Sequence, residues 1–80
     1  EQRLSGGAVC MNILNAAHVL GYSAQWVTEW LSFDTDIKAA LGHQDQTDII
    51  GMIYIGTAVE PPQPRSRPSL DDIVSEWSGL

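Results

Sequence analysis

The sequence predicts a mixed helix-and-strand fold in which a central sheet is covered by helices. Three observations carry that prediction. Residues 7–20 run G-A-V-C-M-N-I-L-N-A-A-H-V-L, a helix that is apolar almost all round. Residues 49–55 run I-I-G-M-I-Y-I, an unbroken apolar stretch bounded by Asp48 and Gly56, which is the pattern of a strand buried on both faces. All four prolines fall between Ala58 and Pro68, which marks an extended arm.

The first element is a helix over about residues 2–20. At 100° per residue, Ser5, Asn12 and Asn15 share one narrow polar stripe with His18 at its edge. Ala8, Val9, Cys10, Met11, Ile13, Leu14, Ala16, Ala17, Val19 and Leu20 cover the remainder. Such a helix must be enclosed. Gly21 stops it, in the role of a left-handed glycine just past a helix end. Residues 22–28 (Y-S-A-Q-W-V-T) are aromatic and β-branched in alternation and predict a short strand. Glu29 to Phe33 fits no single element. Asp34 and Thr35 form an N-cap pair for a short helix over 35–41, ended by Gly42. A polar turn covers 43–48. The second strand is expected over 48–57. The arm and a last short helix occupy 58–77, the helix opening on the capping-box-like Ser69-Leu70-Asp71-Asp72.

These elements do not close on themselves. A central strand needs neighbours on both edges, and only two strands are visible. Eighty residues offer little with which to enclose an all-apolar helix. The tail carries Leu70, Ile73, Val74 and Trp77 away from the core, as exchanged arms of oligomers do. The chain is expected to be an oligomer or part of a larger domain. It opens on Glu1 rather than Met, as a processed or truncated product would.

Composition narrows the class. With one cysteine no internal disulfide can form, and one cysteine with two histidines argues against a structural metal site. Cys10 reads as a small buried hydrophobe. The net charge of −6 argues against nucleic acid and anionic membrane surfaces as partners. No apolar run reaches the ~18 residues of a membrane span, and no basic n-region marks a signal peptide. A reducing, cytoplasmic setting is the expectation.

Taken alone, the side chains assemble no catalytic constellation. His18 and His43 read as packed or solvated imidazoles. Asp71 and Asp72 suit the positive end of a helix dipole. Trp26, Trp30 and Trp77 read as core or interface anchors. Arg65 and Arg67, on a stiff proline arm in an acidic chain, suit a phosphate or carboxylate; solvated surface charge is the competing reading. On residues alone, a non-catalytic interaction module that oligomerises through its first helix also fits.

The assembled order adds to this. G-G-A-V-C-M-N-I-L-N-A-A-H-V-L-G-Y-S-A-Q-W-V-T, then I-K-A-A-L-G, I-I-G-M-I-Y-I-G and E-P-P-Q-P-R-S-R-P-S-L-D-D-I-V together resemble the C-terminal half of the FMN-dependent nitroreductase family. The resemblance spans about residues 5–77 and rests on the order of the segments rather than on one motif. It implies an α+β nitroreductase-like fold and a homodimer with an exchanged C-terminal arm. It also implies hydride transfer from NADH or NADPH, through flavin, to a nitro compound, quinone or similar acceptor. Trp26, Val27 and Thr28 match ring-contacting positions. Glu29 matches a position whose backbone N–H approaches flavin N5, where a donor suits the electron density that changes on reduction. Arg65 and Arg67 match a basic pair that grips the FMN phosphate, and residues 16–21 match a stretch assigned to nicotinamide contact in some relatives. No side chain is assigned as acid or base, and no metal is implied. Val27 departs from relatives that place a basic residue there. The family's other flavin ligands, an Arg-Arg-Ser type segment and a later ring segment, are absent from these 80 residues. The resemblance therefore implies the C-terminal part of one larger domain, inactive alone.

Overall fold

The computed structural model describes residues 1–79. The elements run α1 (Gln2–Val19), β1 (Ser23–Val27), a 3-10 turn (Trp30–Ser32), α2 (Thr35–Ala40), β2 (Met52–Gly56) and α3 (Leu70–Ile73). β1 and β2 form a two-stranded antiparallel sheet, with Ser23 opposite Gly56, Trp26 opposite Ile53 and Val27 opposite Met52. α1 packs on this sheet.

Both longer helices end by the same device. Gly21 has φ +91° and Gly42 φ +85°, the left-handed conformation glycine adopts without strain. The Tyr22 N–H reaches the Ala17 carbonyl at 2.9 Å and the Gly21 N–H that of His18 at 3.0 Å. After α2, His43 bonds Lys38 at 2.8 Å and Gly42 bonds Ala39 at 2.9 Å. Each pair is the double bond of a Schellman motif. At its start, α2 is capped by the Asp34 carboxylate, which accepts the Ile37 N–H at 3.0 Å. α1 has no side-chain cap.

The inner line of α1 is Gly6, Gly7, Cys10, Leu14 and Ala17. The spacing of 7, 10, 14 and 17 is that of one helix face. The glycines leave a notch. A Cβ on Gly6 would sit 2.8 Å from Ile50 Cγ1, and one on Gly7 would sit 3.7 Å from Trp26 Cη2. Two glycines inside a helix each cost about 1 kcal/mol relative to alanine. Here the loss is offset by close packing of Ile50 and Trp26. Arg3 adds a clasp: its Nη2 lies 2.9 Å and its Nε 3.2 Å from Asp48 Oδ2, tying the first turn of α1 to the approach to β2.

Three expectations need correction. Residues 49–55 do not form a strand covered on both faces. Pairing begins at Met52, and Tyr54 and Ile55 are exposed. The register ends because β1 ends at Val27, and among the described residues no third strand pairs with β2. The last helix stops at Ile73 rather than near Trp77, since Val74 is already extended, with φ −119° and ψ 132°. Ser69 makes no side-chain cap bond. The Leu70, Ile73, Val74 and Trp77 side chains are all exposed, so nothing among the described residues holds a longer helix in place.

Nor does the chain close over its apolar surface. Its accessible area is 7308 Å², against about 4,700 Å² for a folded monomer of this mass. Its radius of gyration is 17.2 Å, against about 12 Å for a compact domain of this length. Cys10 and Ala17 are the buried apolar residues among those described, while Val9, Ile13 and Leu20 line an exposed flank of α1.

Candidate functional site

The segment that joins β1 to α2 is positioned at both ends by local chemistry. The Gly21 turn reverses the chain out of α1 and delivers it into β1. The Asp34 cap fixes where α2 begins. Between them, Trp26 and Val27 lie on β1, Thr28 follows the end of the ladder, and Glu29 is extended.

Trp26 is held by its own chain. Its indole Nε1–H points at the Ile50 carbonyl, 3.4 Å away. The ring lies over Gly51 at one end and against Gly7 of α1 at the other. Its side chain is therefore engaged in packing, although about a third of the residue stays exposed, at 36 %. Glu29 is extended, with φ −103° and ψ −178°. Its carbonyl accepts the Ser32 N–H at 2.9 Å, closing the 3-10 turn. Among the described residues, its own N–H has no acceptor. An exposed free amide at a strand end is a donor available to a ligand.

Two clefts border Trp26. The larger, about 1040 Å³, lies between the second half of α1, the sheet and the arm; Met11, His18, Tyr22, Trp26, Tyr54 and Arg65 line it. The smaller, about 370 Å³, lies on the other side of Trp26; Arg3, Thr28, Ser32, Lys38 and Asp48 are among its walls. Arg3 is neutralised there by Asp48. Lys38 is only 7 % exposed, and its Nζ donates to the Asp45 carbonyl at 3.3 Å. The Ser32 hydroxyl is buried and has no hydrogen-bond partner among the described residues.

The six expected site residues do not line a single cleft within this chain. Trp26 and Arg65 share the larger cleft. Thr28 faces the smaller one. Val27, Glu29 and Arg67 line neither. Arg65 and Arg67 are exposed and, among the described residues, form no ion pair.

Sequence reasoning missed the glycines that seat this segment. Two consecutive glycines inside a helix and one inside an apolar strand run were signals of close backbone approach. It also missed buried Lys38, for which residue type is a poor guide because lysines are seldom enclosed. Among the described residues no group of three or more His, Cys, Asp or Glu is arranged to hold a metal. No helix among them is long and apolar enough to cross a membrane.

No curated protein matches the chain. A sequence model of the nitroreductase family matches residues 1–57. That span takes in α1, β1, the 3-10 turn, α2 and β2, and ends before the arm with Arg65 and Arg67. Matched over more than half its length, through every element that frames the 26–29 segment, the chain belongs to the nitroreductase family.

Proposed function

We propose that this chain is the C-terminal part of an FMN-dependent oxidoreductase that acts as a homodimer. The observation that carries the reading is the Glu29 N–H, without an acceptor among the described residues of a nitroreductase-family chain, at the position where family resemblance puts a donor to flavin N5. FMN, when bound, supplies the hydride relay between NADH or NADPH and a nitro compound, quinone or similar acceptor.

The residues divide the work. The Glu29 amide donates to the flavin ring, so the side-chain identity there matters less than the extended backbone that presents the N–H. Val27, Thr28 and the edge of Trp26 flank the ring. Arg65 and Arg67 bind the phosphate; two guanidiniums without ion-pair partners among the described residues, in a chain of net charge −6, suit a dianion. No side-chain acid or base is assigned, which is reasonable where the cofactor carries the chemistry.

The dimer is supported by the uncovered surface. The exposed Val9, Ile13 and Leu20 flank of α1 and the apolar tail of the arm are surfaces a second copy would cover. The test is the full-length protein with both Arg65 and Arg67 replaced by alanine. FMN affinity falls if they bind phosphate, and bleaching of the flavin by NADH or NADPH identifies the reductase. Unchanged flavin affinity removes the arginines from the site. A colourless wild type that cannot be reconstituted with FMN removes the function.

A further inference from the structure

We propose that Gly51 is a positioning residue: the space left by its missing side chain seats the Trp26 indole, and through Trp26 fixes where the backbone of residues 27–29 lies. The inference rests on reading that segment as the flavin contact.

Gly51 is not required by its backbone angle. Among the described residues the glycines with positive φ are Gly21, Gly42 and Gly79. What it provides is room. A Cβ on Gly51 would overlap the indole at Nε1 and Cδ1 and would stand 3.3 Å from Cε2. The ring also reaches toward α1. Its far edge, Cη2, already lies 3.7 Å from the place a Gly7 Cβ would occupy on α1. Its Nε1–H is also directed at the Ile50 carbonyl, one residue from Gly51. The indole thus lies between a strand approach and a helix, each of which offers a glycine. Trp26 belongs to the ladder itself, opposite Ile53. A push on its ring is therefore transmitted to the strand that ends at Val27 and to the Thr28–Glu29 backbone beyond it. Displacement of a binding group by about 1 Å is enough to cost orders of magnitude in a preorganised site.

The experiment uses the full-length dimer in four forms: wild type, G51A, W26V and G51A/W26V. Three quantities are read: the FMN dissociation constant, the flavin midpoint potential, and hydrogen exchange of the Glu29 peptide without FMN. G51A is expected to weaken FMN about tenfold or more, shift the potential and speed exchange at Glu29. In the W26V background the same glycine substitution is expected to change FMN affinity by less than about twofold, because the overlapping ring is gone. General destabilisation would instead penalise both backgrounds alike and leave the potential unmoved. Should G51A alone not fold, recovery of folding in G51A/W26V reads the same overlap, because the indole is gone. Unchanged FMN affinity and Glu29 exchange in G51A, equal penalties in both backgrounds, or a G51A/W26V that fails to fold where W26V folds, overturns the proposal while leaving the flavin site standing. A wild type that takes up no FMN overturns the flavin reading and this proposal together.

Discussion

Gly6 and Ile50 meet so closely that a methyl group on the glycine would come 2.8 Å from Ile50 Cγ1 and 3.2 Å from its Cδ1. The contact joins α1 to the residues that lead into β2. It also sets two effects against each other. G6A improves helix propensity by about 1 kcal/mol but forces an extra carbon into a filled notch, which costs about 1–3 kcal/mol. We expect the steric effect to win, and G6A to destabilise the full-length protein in urea titration. A midpoint raised by the substitution would show that Ile50 simply moves aside.

Gly21 needs its left-handed φ of +91°, with nothing within 4 Å of where a side chain would go. G21A therefore meets backbone strain and no clash. The expected loss is about 1–2 kcal/mol, read as a lower denaturation midpoint with an unchanged slope. Asparagine, which tolerates this region better, should recover part of it.

The Arg3–Asp48 clasp has good geometry, but its side chains are 82 % and 54 % exposed. Solvent screening limits such pairs to about 1 kcal/mol or less. R3A is expected to cost no more than that, and the difference from wild type should shrink as salt rises. A large, salt-independent loss would mean that another part of the protein buries the pair.

Removing Arg65 and Arg67 together should weaken FMN binding strongly, since each hydrogen bond to a charged group contributes about 1.5–3 kcal/mol. Arg65 shares the larger cleft with Trp26 and Tyr54 whereas Arg67 does not. Of the two single variants, R65A is expected to have the larger effect. Flavin fluorescence titration of the three variants checks both statements.

The exposed flank of α1 gives a prediction about assembly. I13D puts a charge among Val9, Ile13 and Leu20, on a face the proposed dimer covers. Sedimentation of the full-length variant should show a shift toward monomer, with loss of bound FMN. A dimer of unchanged affinity would place the interface elsewhere.

What could be read from the sequence was what is decided locally. The stops at Gly21 and Gly42 and the cap at Asp34 follow from a few adjacent residues and stand where the sequence puts them. The bounds of β2 do not, because pairing depends on how far β1 extends, and a run of apolar residues cannot report that. The same holds for α3: its composition suits a helix to Trp77, yet four residues form because packing supplies most helical stability. Arg65 and Arg67 stood out by residue type, two guanidiniums on a proline arm in an acidic chain, whereas the 26–29 segment was singled out only through the order of whole segments. The roles of Gly6, Gly7 and Gly51 were not legible, since a glycine shows its purpose only when its neighbour is known.

The outer margin of β2 has a last implication. Its ladder groups find no mate among the described residues, and the adjoining Tyr54 and Ile55 are uncovered. A bare hydrogen-bonding rim beside greasy side chains invites sheet-to-sheet stacking between molecules. Left uncovered, this margin is where two copies of the chain would pair edge to edge.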